Sequence, residues 1–296
     1  MRFALAPTAA LSLTLLAACV AQPPAAPPQP GEAAMIDANR RADAYVRSGD
    51  LEGAARQYRE AIRVARSVED VEGIASNAIN LSIVYQRLGR PDDARASLGL
   101  LLERSQLVFP AERMAQAALR RAVLDMDEHR AASASEWLDH AAAYCRRECT
   151  VTAAIQNVRG QLALEAGRAD QAAASAKAAL SASRASGDRA ETANALRLLG
   201  SAAIRTGDAA VAAGYLGEAL AIDRELAAPR KIYLDLVALG RASALRGDRG
   251  AARSYYERAR AVSEAARDSE GAAQARALID ALGDTVQARQ PSPGLP

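Results

Sequence analysis

Large side chains are scarce in this 296-residue sequence. Phenylalanine, tyrosine and tryptophan together make up 4 % of it, although half of the residues are hydrophobic. Alanine fills the difference, with leucines scattered between. A single globular core of this length is built from bulkier residues. Alanine loses no side-chain entropy in a helix and lets backbones approach closely, so this composition suits helices packed against one another. Histidine is reduced to His129 and His140, and lysine to Lys177 and Lys231. No G-x-S-x-G, G-x-G-x-x-G, P-loop or H-E-x-x-H run is present, so neither a catalytic constellation nor a cofactor site is expected. An excess of one charge is missing too. The formal net charge is +2 from 37 basic and 35 acidic residues, with no basic block and no acidic tail. A nucleic-acid partner calls for a strong basic excess on one face and is therefore not expected.

A membrane-length apolar run is also lacking. Arg2 precedes an apolar stretch from Phe3 to Ala18, shorter than the ~20 residues of a spanning helix but of signal-peptide length. It ends Leu16-Ala17-Ala18-Cys19. These residues resemble the bacterial lipobox, a leucine, two small residues and a cysteine. The resemblance implies that residues 1–18 are a lipoprotein signal peptide and that Cys19 is lipidated and becomes the N-terminus. Each buried methylene contributes about 0.8 kcal/mol, so two or more acyl chains anchor stably. Val20, rather than Asp, follows the cysteine. In lipoproteins of this kind that implies anchoring in the outer membrane, facing the periplasm. The stretch 21–32 is rich in proline and nearly uncharged. It reads as an extended spacer of roughly 3 Å per residue, making 19–34 a linker.

Beyond it the sequence repeats. Gly49-Asp50, Gly89-Arg90, Gly167-Arg168, Gly207-Asp208 and Gly247-Asp248 recur at intervals of 40 or about twice that, and His129-Arg130 stands in the double gap. Five residues after each anchor comes alanine: Ala54, Ala94, Ala134, Ala172, Ala212 and Ala252. Seven residues before it comes a small residue: Ala42, Ser82, Ala122, Gly160, Gly200 and Gly240. Nine residues after it Tyr58, Leu98, Leu138, Leu216 and Tyr256 supply bulk, and only Ala176 does not. Each interval holds two helices. First helices are expected near 35–48, 71–88, 111–127, 150–166, 189–206 and 229–246, and second helices near 51–67, 92–106, 131–146, 169–185, 209–226 and 249–266. Asp188 and Glu191 form a capping pair, and Pro110 and Pro229 stand where a first helical residue tolerates proline. A last helix near 269–282 caps the open end.

These offsets resemble the tetratricopeptide repeat (TPR) family, which has a small residue in its first helix, glycine at the tight turn and two alanines in its second helix. Two departures stand out. The period is about 40 rather than the usual 34 or so, and His129 replaces glycine, so that turn is expected to differ. The resemblance implies an all-α, right-handed solenoid of about six helix-turn-helix repeats over 35–283, with a disordered tail at 284–296. It also implies that first helices line a groove, facing it with residues ten, nine and six before each anchor. Among these are Asn39, Asp43, Asn80, Asn157, Gln161, Arg197, Ser201 and Arg241. Asn and Arg side chains can hold a peptide backbone or a carboxylate. The function so implied is a non-enzymatic scaffold that binds a protein or peptide partner and is anchored to the membrane by its lipid. Envelope, pilus or secretion assembly are settings in which lipoproteins similar in plan act. The alternative is a lipoprotein that binds cell-wall glycan or peptide, which the shortage of aromatic platforms disfavours.

Cys145 and Cys149 lie about 40° apart on a helical face. Their repeat-to-repeat spacing is two residues short, at 38 between His129 and Gly167. They read either as a disulfide that stabilises this junction or as buried free thiols. Zinc with His140 is disfavoured, because His140 lies about 140° around the helix from Cys145. Trp137, beside Leu138, reads as packing between repeats rather than as a ligand platform.

Overall fold

The computed structural model describes residues 30–103, 106–145 and 149–287. The expected signal peptide, Cys19 and most of the linker lie outside the described residues, as do 288–296. Within them the chain forms thirteen helices and no strand. They are α1 (Pro30–Ser48), α2 (Leu51–Ser67), α3 (Val71–Arg87), α4 (Pro91–Leu102), α5 (Ala111–Asp127), α6 (Ala131–Cys145), α7 (Thr152–Glu165), α8 (Ala169–Ser186), α9 (Arg189–Thr206), α10 (Ala209–Glu225), α11 (Pro229–Leu245), α12 (Arg249–Ala265) and α13 (Ser269–Gln287). Consecutive helices pack antiparallel in one continuous series, the helical solenoid of six pairs and a capping helix. None of these helices is long and apolar enough to cross a membrane.

Turn chemistry sets the repeat. Ten turn residues adopt the left-handed conformation, with φ from +49° to +87°. They fall at 49, 69 and 89, then at 129, and again at 167, 187, 207, 227, 247 and 267. Within each of the two uninterrupted runs the spacing is constant, so the turn from second to first helix copies the turn from first to second. At Gly207 the residue's own N–H donates to Ile204 O at 3.2 Å and the next, from Asp208, donates to Ala203 O at 2.9 Å. That is the Schellman closure of a helix C-terminus. His129, expected to turn differently, does not. It has φ +58°, and the same two bonds form at 2.8 Å, from His129 N to Met126 O and from Arg130 N to Asp125 O.

The residue after the turn opens the next helix. Asp50, Asp70, Asp188, Asp208, Asp248 and Asp268 each accept from the backbone N–H three residues on, at 2.8–3.2 Å. Each cap is worth about 1 kcal/mol. The capping pair expected of Asp188 and Glu191 is only half made. Asp188 accepts from Glu191 N at 2.9 Å, but the Glu191 side chain turns away to Asn157.

The small residue before each turn faces the bulky one after it. A Cβ on Gly200 would lie 2.5 Å from Leu216 Cγ, and one on Gly240 would lie 2.3 Å from Tyr256 Cε1. The fourth repeat, where Ala176 lacks bulk, is filled from the next repeat, because a Cβ on Gly160 would meet Leu198 Cδ2 at 2.4 Å.

Several boundaries differ from expectation. α1 starts at Pro30, inside the stretch read as linker, and α13 runs to Gln287, past the expected end of the folded part. α4 stops at Leu102 rather than near 106. Glu103 is extended there (φ −92°, ψ 178°), and Pro110 serves as N-cap of α5 rather than as its first residue.

The two helix rows are not equivalent. α1, α3, α5, α7 and α9 each touch the next member of their row, which ends at α11, whereas among the described residues the even helices make no comparable contact with one another. Helices that touch lie on the inside of a curve and those that splay lie on its outside. The first helices therefore form the concave layer. The packing is thinnest where α4 meets α5 and where α6 meets α7, the two places where the regular rhythm of turns breaks.

Candidate functional site

The expected groove residues all lie on first helices, but they have different tasks. Arg197, on α9, is the hub of a cluster with only 12 % of its side chain exposed. Its Nε donates to Asp235 Oδ1 of α11 at 2.6 Å, its Nη1 to Asn194 Oδ1 at 2.9 Å, and its Nη2 to Asp223 of α10. Lys231 Nζ donates to the same Asn194 oxygen at 3.0 Å. Asp235 is fully buried, and its Oδ2 has no hydrogen-bond partner among the described residues. Burial pushes its carboxyl up to about 7; Arg197 opposes this, while the neighbouring Asp223 adds to it. One guanidinium thus serves two buried carboxylates and ties α9, α10 and α11 together. Asn157, on α7, is likewise turned inward. Its Nδ2 donates to Glu191 O at 3.0 Å and to Glu191 Oε2 at 2.7 Å, fastening the fourth repeat to the fifth.

The remaining expected groove residues are placed as follows. Asp43 is exposed yet accepts from Tyr58 Oη at 2.8 Å. Burial first, and this bond second, hold the Tyr58 phenol above its usual range. Asn39 is half-buried, with its Oδ1 unbonded among the described residues. Gln161 is exposed and its Nε2 donates to Glu165 Oε1, one turn along the same helix, at 2.9 Å. Asn80 and Arg241 are exposed and Ser201 is half-buried. In the second and third repeats the position six before the turn is apolar, with Ile83 39 % exposed and Val123 half-buried.

Sequence reasoning missed the partners that occupy Arg197 and Asn157. Asp235 is the one visible signal, an acidic residue inside the apolar run from Leu234 to Leu239. It also missed Arg120 of α5, whose Nε and Nη2 are buried with no hydrogen-bond partner among the described residues. Burial holds that guanidinium below its usual range, with Asp127 opposing the shift.

Cys145 and Cys149 are joined by a disulfide, with Cα atoms 5.2 Å apart, linking the end of α6 to the approach to α7. Thr152 Oγ1 donates to Cys149 O at 2.9 Å on the α7 side. Among the described residues no three His, Cys, Asp or Glu side chains gather as a metal site. Trp137 packs with the α5–α7 core, with the Arg121 guanidinium 5.3 Å from its ring centre.

Helix-turn-helix pairs in series, a concave row of touching first helices and a small residue buried under a bulky one define an α-solenoid repeat protein. The tetratricopeptide repeat model matches residues 32–106 and 151–225, and the chain belongs to that family. The third repeat, with its irregular junctions on both sides, is the stretch between the two matches. Proteins of this family are typically scaffolds for protein–protein interaction rather than enzymes. The fold is similar to that of BtubC from P. vanneervenii, 19 % identical over 81 % of this chain and 93 % of that one, with a TM-score of 0.52. It is similar to Pseudomonas aeruginosa PilF, 18 % identical over 75 % of this chain and 100 % of that one, TM-score 0.52. It is also similar to a Rap protein complexed with Competence and Sporulation Factor, 16 % identical over 88 % of this chain and 74 % of that one, TM-score 0.58. No curated protein matches the sequence.

Proposed function

We propose that this protein is an exported, lipid-anchored scaffold. It holds an extended segment of a protein partner in its concave groove, at the periplasmic face of the outer membrane. The observation that carries the reading is the set of exposed polar side chains that alternate first helices carry at the positions expected to face the groove: Asn80 from α3, Gln161 from α7 and Arg241 from α11. A solenoid adds contacts repeat by repeat, so modest contributions accumulate along an extended chain. The Rap protein of similar fold, complexed with Competence and Sporulation Factor, supports occupation of such a solenoid by a partner. The Leu16–Cys19 sequence supports the anchor.

The test is a crosslinking pull-down from native envelopes with the full-length protein. A Cys19→Ala copy and a triple variant, Asn80→Ala, Gln161→Ala and Arg241→Ala, run beside it. One protein recovered with the wild type and lost from the triple variant, at unchanged melting temperature, supports the groove. Equal recovery with the triple variant rules the groove out. Arg197 and Asn157 are unsuitable for this test. Removing one partner of a buried ion cluster costs about 3–5 kcal/mol, so Arg197→Ala would weaken the fold before it reported on binding.

A further inference from the structure

The outer face carries a second surface, on the opposite side of the solenoid from the groove. α2 and α4 splay apart over α3 and leave an open cleft of about 400 Å³. Its apolar lining is Ile62 of α2, Leu81 and Tyr85 of α3, and Leu100 of α4. Along its α2 edge stand Arg59, Arg63 and Arg66. Arg63 is paired with Glu60 at 2.6 Å, and Asp93 on the far wall is paired with Arg90 at 2.6 Å. Arg59 and Arg66 have neither an ion pair nor a side-chain hydrogen bond among the described residues, so two unneutralised guanidiniums flank an apolar trough.

The repeat itself shows what Arg66 lacks. Arg66 stands at the same distance beyond its turn residue, Gly49, as Arg184 stands beyond Gly167. Arg184 reaches across the next gap between outer helices and pairs with Glu218 of α10 at 2.7 Å. Glu218 follows the turn at Gly207, and the residue in the same position after Gly89, opposite Arg66, is Leu100. Where the fourth repeat receives a carboxylate from its neighbour, the first repeat has an apolar side chain and an open cleft.

We propose that this cleft binds an acidic–apolar segment of a partner protein, whose carboxylates take the place that Glu218 fills further along. The spacing limits the motif. Arg59 and Arg66 are seven residues apart on one helix, about 10 Å along its axis. A peptide in extended polyproline conformation advances about 3 Å per residue and returns to the same side every third residue. Two acidic residues three positions apart therefore meet Arg59 and Arg66, and an apolar side chain between them enters the trough over Leu81 and Tyr85. The volume takes one or two such side chains and not a helix. This surface is independent of the groove reading and stands or falls separately.

The experiment is fluorescence anisotropy with the full chain and a labelled peptide probe carrying two glutamates three positions apart and one phenylalanine between them. Binding is expected, and it should weaken at least about tenfold when salt rises from about 50 to about 300 mM, as exposed ion pairs are screened. The same probe with glutamines should bind about tenfold more weakly or worse, as should the double variant Arg59→Ala and Arg66→Ala. Both side chains are exposed, so the variant should keep the wild-type melting curve. Leu100→Glu, which restores the carboxylate of the fourth repeat, should also abolish binding. The groove triple variant should bind the probe unchanged. Equal affinity for the glutamine probe, or full binding by the arginine variant, overturns the proposal. Binding to phosphatidylglycerol vesicles through the same arginines without peptide binding also overturns it and assigns the face to the membrane.

Discussion

Asp235 has no solvent exposure, with one oxygen held by Arg197 and the other without a hydrogen-bond partner among the described residues. With its folded pKa raised from 3.8 to about 7, the native state keeps a proton that the unfolded chain releases above about pH 4. The native state then binds more protons in that window, and stability falls as pH rises. The contribution is fully present below the unfolded pKa and is lost as pH passes through about 7. Urea unfolding at about pH 5 and about pH 8 should show a loss on the order of a few kcal/mol in wild type, and a clearly smaller one in Asp235→Asn. An unchanged slope in the variant would assign the pH dependence elsewhere. A second residue-scale prediction concerns Ala227, which holds φ +49° with a Cβ. Ala227→Gly should raise the unfolding free energy by up to about 1 kcal/mol, because glycine carries no penalty in the left-handed region. The turn chemistry at this scale was legible in the sequence, since Gly-Asp pairs state both the turn and the cap. The role of Arg197 was not. Its offset placed it on the concave layer but said nothing of which way the guanidinium would turn. Its carboxylate partners lie 26 and 38 residues ahead, and no pattern in the repeat marks them.

Between helices, fit is decided by the pair formed by a small residue before the turn and a bulky one after it. Gly240→Ala places a methyl against the Tyr256 ring and should destabilise by about 1–3 kcal/mol, the usual cost of overpacking. Adding Tyr256→Leu should recover part of that, since the third repeat combines Ala122 with Leu138 in one core. Failure of the second change to recover stability would show that the clash is not with that ring. This pairing was readable from six aligned repeats, including the exception at Ala176, although not its remedy, because Leu198 comes from the following repeat. The disulfide closes only a short loop. On chain-entropy grounds, replacing Cys145 and Cys149 by serine should cost about 2 kcal/mol at most, read as a shift in denaturation midpoint between the oxidised wild type and the variant. The early end of α4 was not legible. The apolar run Leu100-Leu101-Leu102 suits a helix, and the chain leaves it at Glu103 with no glycine to announce the stop.

Over the whole molecule, stability is a chain of neighbour contacts with two weak links, at α4–α5 and α6–α7. Repeat arrays open where the coupling between neighbours is least. Hydrogen exchange should therefore find α5 and α6 opening at lower free energy than α9–α11, and limited proteolysis should cut first within 103–110. Uniform protection from α1 to α13 would contradict this. The turns also have a consequence for length. They recur with every helix, whereas the faces of the solenoid recur only with every second helix. The molecule therefore has a parity. Excision of the stretch between two like turns, such as those at 187 and 227, removes one helix of each row and leaves the concave lining continuous. Excision of a single helix with its turn preserves every other turn and cap, yet makes inner helices outer from that point on and turns the lining inside out. In such a chain, gains and losses of sequence that keep the surface intact come in even numbers of helices.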